Sequence, residues 1–258
     1  MTNDYSTSIN PLKQCKIKPG DTYKTNQGSS LTVLEYLGRN KVLVVFNDKH
    51  KYKTFTRASS IRSGGVKNPY YPSVCGVGYF GVGEFKATSN GKKTKIYTSW
   101  HFMIQRCYTN TSRYSHYNDC SVCCEWRNFQ VYAKWALDNL LTENWEVDKD
   151  LLIKGNKLYS PSTCLVVPHE INNAILKSDA SRGALPIGVD FKKGKYRARL
   201  TKESGSIELG CFNNPESAFN AYKLAKEDHI KDIANKWKGL ICSKVYQALM
   251  SWCVDIND

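Results

Sequence analysis

Four cysteines in the middle of the chain have a spacing that could hold a metal ion. Cys120 and Cys123 form a Cys-x-x-Cys pair, which is one half of a typical structural zinc site. Cys107 and Cys164 could complete a ligand set of four sulfur atoms. Two alternatives are open: these thiols stay reduced and buried, as core cysteines commonly do, or one of them is a nucleophile paired with a histidine.

A run of cations near the C-terminal end has the pattern of a strand with one charged face. Alternation from residue 196 turns the tyrosine, alanine and leucine side chains towards a helix and leaves the side chains between them open. Arginine suits bidentate contacts with guanine or phosphate, and lysine suits non-specific phosphate contact. The candidate DNA-binding residues are Lys192, Lys193, Lys195, Arg197, Arg199 and Thr201. A merely solvated basic sheet is the alternative.

The net charge of the chain also indicates a polyanionic partner. The 258 residues include 37 Lys and Arg against 23 Asp and Glu, which gives 37 − 23 = +14 at pH 7 with histidine neutral. Lysine and arginine gain affinity for nucleic acid because they release counterions from phosphates. A surface that is basic only for solubility is the alternative.

The sequence disfavours both a membrane role and secretion. Its longest apolar runs, such as residues 42–46, have the length of a strand, whereas a membrane-spanning helix needs about 20 apolar residues. The N-terminus lacks the basic start and apolar stretch of a secretory signal. We therefore expect a cytoplasmic location, in which cysteines are reduced rather than paired in disulfides.

The elements that must position these residues predict an α+β multi-domain fold. The polar residues 1–15 predict a disordered tail, and short alternating segments predict a small β-barrel-like module over residues 16–66. A stretch rich in Gly, Pro and Ser makes residues 67–96 a linker. The N-terminal module has basic residues of its own and could contact nucleic acid, another protein or a second copy of itself.

Helical and strand patterns alternate in the rest of the chain. Two amphipathic helices are followed by a β-hairpin over residues 145–159, with its turn at 154–156, and by a short helix over 168–176. Three short strands come next, with turns at 193–194 and 204–205, and then a helix capped by asparagine at its start. A final helix is predicted within residues 237–258.

The central segment resembles the HNH, or His-Me finger, endonucleases that phages carry as free-standing and homing-type nucleases. The resemblance makes residues 97–178 an HNH-like nuclease domain, in which flanking helices support a ββα finger. It rests on short signatures in the family's order, namely Trp100, Met103, Arg106-Cys107, Val122-Cys123, Trp126, Phe129, Val147-Asp148-Lys149, Gly155-Asn156, Tyr159-Ser160-Pro161, Cys164 and Glu170-Ile171-Asn172-Asn173.

This resemblance implies a metal site and a departure from the family's base. Asp148, at the end of the first hairpin strand, and Asn172, on the following helix, fall on the positions that bind one divalent cation, Mg²⁺ or Mn²⁺. The family's water-activating histidine is replaced by Lys149, which is protonated at its ordinary pKa and cannot accept a proton. Lys149 could contact a phosphate or stabilise transition-state charge, and strong burial could lower its pKa. His169 and Asp150 are the alternative bases.

Residues 185–236 resemble the APETALA or ethylene-response-factor DNA-binding domain. That fold is a three-stranded antiparallel sheet on one helix, and its open face enters the major groove of double-stranded DNA. The chain departs from the family at Glu208, where the family has an aromatic side chain, so no base preference is implied. The matching segments are Pro186-Ile187-Gly188-Val189, residues 195–200, Leu209-Gly210-Cys211-Phe212 and residues 216–222.

Together these patterns predict a phage-type endonuclease in the cytoplasm of an infected bacterium. Its C-terminal sheet would dock duplex DNA, and its central finger would nick or cut the DNA with one divalent cation. The main alternative keeps the DNA binding without the cleavage, as in a regulator or architectural protein built on a nuclease fold. A third possibility is a host-directed interaction protein whose charge only keeps it soluble.

Overall fold

The computed structural model describes residues 16–176, 184–202 and 205–256, and its fold is of the α+β class that the sequence predicts. The predicted tail and the first residue of the predicted 204–205 turn lie outside these ranges. The elements are β1 (Thr22–Lys24), β2 (Ser30–Tyr36), β3 (Val42–Phe46), β4 (Lys53–Thr56), α1 (Ala58–Arg62), β5 (Thr88–Ser89), β6 (Lys92–Lys93), α2 (Lys95–Tyr108), β7 (Ser121–Val122), α3 (Phe129–Asp138), β8 (Trp145–Asp148), β9 (Leu158–Tyr159), β10 (Leu165–Pro168), α4 (His169–Ile175), β11 (Val189–Lys192), β12 (Lys195–Lys202), β13 (Gly205–Phe212), α5 (Pro215–Lys236) and α6 (Ser243–Met250).

Contacts within the chain divide it into two compact units. Among the described residues, the first unit comprises 16–73 together with 79–82, and the second comprises 74–78 and the residues from 83 onwards. Within the described ranges, no helix combines the length and the apolar character needed to cross a bilayer.

The first unit is built on a four-stranded antiparallel sheet in the order β1-β2-β3-β4. Strict alternation along β3 buries Val42, Val44 and Phe46, and α1 covers them with Ile61. The short alternating segments predicted within residues 16–66 correspond to β2, β3 and β4. The sequence does not predict β1, because three residues are too few for alternation to be visible.

Two helices form the core of the central region in the second unit. The Thr94 hydroxyl accepts a hydrogen bond from the amide of Tyr97 and caps α2, and the Asn128 side chain caps α3 in the same way. Trp100 of α2 is fully buried, and its indole N–H donates to the carbonyl of Trp126 at 2.7 Å. The predicted apolar stripes are therefore core, as amphipathic helices require.

The prediction of a hairpin over residues 145–159 is wrong, because its two strands pair with different strands and not with each other. β8 pairs antiparallel with β10, and β9 pairs in parallel with β7. The chain leaves β8 at Asp148, whose side chain accepts hydrogen bonds from two backbone amides of the following turn. It returns to pair with β8 seventeen residues later, at Leu165. The result is a β8-β10-α4 arrangement in which two strands precede a helix, with a long loop between the strands.

The C-terminal sheet has the order β11-β12-β13, with antiparallel pairing throughout. The predicted alternation is confirmed, since Ala198 and Leu200 are buried against α5. Gly188, just before β11, has a φ of +77°, and a Cβ there would lie 2.1 Å from the Tyr222 ring of α5. Only glycine provides both the left-handed backbone and the room for this close packing.

A second core in this unit connects the β8-β10-α4 arrangement with the C-terminal helices. Val167 and Ile171 pack with Ile230 of α5 and with Val245 and Leu249 of α6. One face of α5 therefore covers the C-terminal sheet, while another part of the same helix belongs to the core around α4. The predicted helix over 168–176 and the final helix are both present, at His169–Ile175 and Ser243–Met250.

Candidate functional site

Asp148 closes β8 and turns the chain into the loop. Its Oδ1 accepts hydrogen bonds from the amides of Asp150, at 2.9 Å, and Leu151, at 2.6 Å. Burial raises the pKa of the Asp148 carboxyl, and the two amide hydrogen bonds lower it by less. The hydrogen bonds found for Asp148 among the described residues all use Oδ1, which leaves Oδ2 as an oxygen donor.

Lys149, which the sequence resemblance places where HNH nucleases have their base, is one of the few buried polar side chains in the described chain. Its ammonium donates to Asp150 Oδ2 at 2.6 Å and to the carbonyl of Asn156 at 2.8 Å. The Asn156 amide donates back to the Lys149 carbonyl at 2.9 Å. These contacts clamp the two ends of the loop over residues 149–156, so the ammonium is used inside the fold.

The two alternative bases lie in different places. Leu165 is the partner of Asp148 in the β8–β10 pair, whereas Pro168, next to His169, is the partner of Trp145. Three residues of strand separate the two ends by about 10 Å, so the histidine lies at the far end of the strand pair from Asp148. Asp150 is beside Asp148, but one of its carboxylate oxygens is bound to Lys149.

Asn172 lies in the middle of α4 and is half-buried. Its side chain takes part in none of the hydrogen bonds found among the described residues. An amide oxygen and a carboxylate oxygen are the donor types that a hard divalent cation prefers. In donor chemistry, Asn172 and Asp148 Oδ2 therefore fit the Mg²⁺ or Mn²⁺ that the family resemblance implies.

The four cysteines that could bind zinc are all reduced thiols in this structure. Among the described residues, no three His, Cys, Asp or Glu side chains are grouped so that they could hold a metal ion. Burial raises the pKa of Cys107 and of Cys164 to about 12, and it raises the pKa of Cys120 and Cys123 as well. A thiol with a raised pKa is a poor nucleophile at neutral pH, which disfavours the interpretation of one of these cysteines as a nucleophile.

The open face of the C-terminal sheet carries an ion-pair network. Arg197 donates two hydrogen bonds to the Asp190 carboxylate, both at 2.9 Å, and lies 3.3 Å from Glu208. Arg199 reaches the same Asp190 carboxylate at 2.6 Å, with its side chain half exposed. These contacts lower the pKa of Asp190, chiefly through the Arg197 hydrogen bonds. Strand register explains them, because Asp190 is opposite Arg197 and Glu208 is opposite Arg199.

Three lysines surround the hairpin that joins β11 and β12. Lys192 and Lys195 are paired across the strands, and Lys193 with Gly194 forms the two-residue turn, both with positive φ. All three lysines are exposed, and none belongs to an ion pair found in the described part of the chain. Thr201 is exposed further along the same open face as Arg197 and Arg199.

The carboxylate partners of the two arginines are residues of the candidate site that the sequence did not reveal as partners. Asp190 is visible in the sequence only as an acid that interrupts the basic run, and Glu208 only as a departure from the family. The signal that could have found them is the register of the β11–β12 hairpin, which follows from the two-residue turn. Comparison with protein-family models, curated proteins and solved structures finds no match for this chain.

Proposed function

We propose that this protein binds double-stranded DNA through the open face of the β11–β13 sheet. The observation that carries the proposal is the division of that sheet into two faces. One face is apolar and packed on α5, and the other presents Arg199, Thr201 and the partly covered Arg197 beside the lysines of the hairpin. A sheet packed on one side by its own helix leaves the charged side available to a DNA groove.

The ion pairs on this face support a role in recognition. Asp190 holds two guanidinium groups in fixed positions, which reduces the entropy that they would lose on binding. A fixed guanidinium suits bidentate contact with guanine or phosphate. The three lysines at the hairpin supply mobile positive charge for phosphate contacts.

The binding proposal can be tested by fluorescence anisotropy with a labelled 20-bp duplex of mixed sequence at low salt. We expect binding by the natural chain and a loss of about tenfold in affinity for Arg199→Ala, a typical effect for one charge-assisted contact. Lys231→Ala is the matched control, because Lys231 is an exposed cation on α5 paired with Asp228. Equal affinity of the two variants would count against the sheet as the binding face.

DNA cleavage by the β8-β10-α4 arrangement is the second candidate function. The observation that favours it is the order of two strands and a helix, with Asp148 at the end of the first strand and Asn172 on the helix. These two residues would hold the divalent cation. Bound there, the cation would stabilise negative charge on the scissile phosphate and the leaving oxygen.

The role of Lys149 bears on whether the protein cleaves DNA or only binds it. Because its ammonium is held by Asp150 and Asn156, we assign it to the loop clamp instead of to a phosphate contact. The neighbouring carboxyl of Asp148 is not hydrogen-bonded to Lys149. Its raised pKa would make it a stronger base than an ordinary aspartate. Asp148 would then have to serve the metal and the water together. This conflict favours DNA binding without efficient cleavage.

A supercoiled-plasmid nicking assay with Mg²⁺ or Mn²⁺ distinguishes the two functions. The natural chain is compared with Asp148→Ala and with Asp228→Ala, whose carboxylate is exposed on α5. Nicking that is lost only in Asp148→Ala would support the metal site. Nicking that survives in Asp148→Ala would refute it, and the absence of nicking by the natural chain, with DNA binding retained, would support the binding-only function.

A further inference from the structure

A cavity of about 1100 Å³ lies between α4, α5 and the end of β12. It exists because β11 is shorter than its neighbour. β11 begins at Val189, opposite Ala198, so the residues from Leu200 to the end of β12 have no strand beside them on that side. The space next to them is bounded by α4 and α5, and its volume is that of a site for a small organic ligand.

The walls of the cavity are apolar in one part and cationic in another. The residues that α5 contributes follow helical spacing along one face: Tyr222, Lys226, His229 and Ile233. Lys202, at the end of β12, belongs to the same cationic part. The apolar part is completed by Leu200 and by residues that flank α4 and β11.

Lys226 is the residue that requires explanation. Burial lowers the pKa of its ammonium, and no carboxylate acts against that shift. Within the described part of the chain, Lys226 takes part in no hydrogen bond and no ion pair. The Lys226 side chain is partly buried, and an ammonium group that gives up part of its hydration without a counterion is destabilising. Groups perturbed in this way cluster at sites where a ligand binds.

The two carboxylates that line the cavity are already bound to other groups. Glu170 accepts hydrogen bonds from Lys236 and from the Trp237 indole, both at 2.7 Å. Asp190 is bound by the two arginines of the sheet. Burial, Lys202 and Lys226 together lower the pKa of His229, against weaker opposing effects of Asp232 and Glu170. The cavity therefore has an excess of positive charge.

We propose that this cavity binds the phosphate group of a nucleotide. Lys226 and Lys202 receive the phosphate oxygens through charge-assisted hydrogen bonds, since neither belongs to an ion pair found among the described residues. His229 lies beside them and donates a further hydrogen bond from its ring. The apolar wall beside them, to which the more accessible Leu176 and Ile187 contribute, accepts the sugar and base. The phosphate could belong to a free mononucleotide or to the DNA backbone, and its chemistry at the cations is the same.

The direct test is titration of the full chain with 2′-deoxyadenosine 5′-monophosphate, followed by calorimetry and by NMR of the histidine ring protons. The chain has five histidines, and only His229 lines the cavity. We expect the His229 signal alone to shift and its pKa to rise when the phosphate is bound, since an added anion stabilises the imidazolium. Signals of all five histidines that stay unchanged at millimolar nucleotide would overturn the proposal.

Lys226→Met distinguishes a ligand site from a merely structural lysine. Methionine keeps the apolar length of the side chain and removes a desolvated charge, so thermal stability should be unchanged or higher. Nucleotide affinity should fall by about tenfold or more. Lys231→Met, on the solvent side of the same helix, should leave affinity unchanged. Equal affinity of Lys226→Met and the natural chain would overturn the proposal.

Competition identifies the source of the phosphate. If a 20-bp duplex displaces the nucleotide and Lys226→Met also weakens duplex binding, the cavity receives a backbone phosphate. If the duplex does not displace it, the ligand is a free nucleotide. Both results support the phosphate site, whereas insensitivity of nucleotide and duplex binding to Lys226→Met contradicts it. Failure of the sheet to bind DNA would leave the nucleotide result unaffected, so the two proposals can fail separately.

Discussion

The salt dependence of DNA binding should be set by a small group of cations on the C-terminal sheet. Lys192, Lys193 and Lys195 are exposed at the hairpin, and the half-exposed Arg199 is beside them. If these four cations contact phosphates, the slope of log affinity against log salt is about −0.9 × 4, or about −3.6. Raising salt from 50 to 200 mM should then weaken binding by about 150-fold.

Replacing the three hairpin lysines by glutamine tests this count. With about one phosphate contact left, the slope should fall to about −0.9, and the same change of salt should cost only about fourfold in affinity. The matched control replaces Lys134 and Lys244, which are exposed on α3 and α6, and the partly exposed Lys231 on α5, so that net charge changes equally.

The assay is fluorescence anisotropy with a labelled 20-bp duplex at five or more salt concentrations. The control variant should keep the slope of the natural chain. If both triple variants give the same slope, binding depends on net charge and not on this face, and the reasoning is refuted.

Three further predictions concern the fold and the loop at Asp148. Gly188→Ala should lower the free energy of unfolding by about 2–5 kcal/mol, because it combines left-handed backbone strain with a clash against Tyr222. Gly194 also has a positive φ but open space around it, so Gly194→Ala should lower the free energy of unfolding by only about 1 kcal/mol. Similar urea midpoints for the two variants would contradict this. Lys149→Met should lower the free energy of unfolding by about 1–3 kcal/mol, since the Asp150 carboxylate and the Asn156 carbonyl lose their hydrogen-bond donor. Lys157 is exposed in the same region, so the control Lys157→Met should change the urea midpoint little. Because the folded-state pKa of Asp190 is lowered, its contribution to the free energy of unfolding is present above about pH 4 and is lost as pH falls through the folded pKa. Asp190→Asn should therefore flatten the acid side of the curve of stability against pH, by about 1 kcal/mol at most. An unchanged acid side would contradict the ion-pair network.

Elements with long periodic patterns could be predicted from the sequence because their burial depends on their own side chains. The stripes of α2 and α3 and the alternation of β12 are of this kind, and Asn214 at the start of α5 is a visible cap. The parallel pair of β7 and β9 could not be predicted, since two-residue strands have no period and their partners are 37 residues apart.

The candidate site shows the same limit. The sequence identifies Asp148, Lys149 and Asn172 as neighbours in a motif, but the burial of Lys149 depends on Asp150 and Asn156 meeting across a closed loop. The cavity between α4, α5 and β12 is even less visible in the sequence. Lys202 and Lys226 both line it only because β12 extends beyond β11 and packs on α5.

The most direct test of the central claim is an NMR map of the amide signals that shift when a 20-bp duplex is added to the full chain. We predict that the largest shifts fall on the open face and hairpin of the β11–β13 sheet, from Lys192 to Thr201, with little change in the first unit. The absence of shifts in this sheet, while other amides respond to the duplex, would contradict the account.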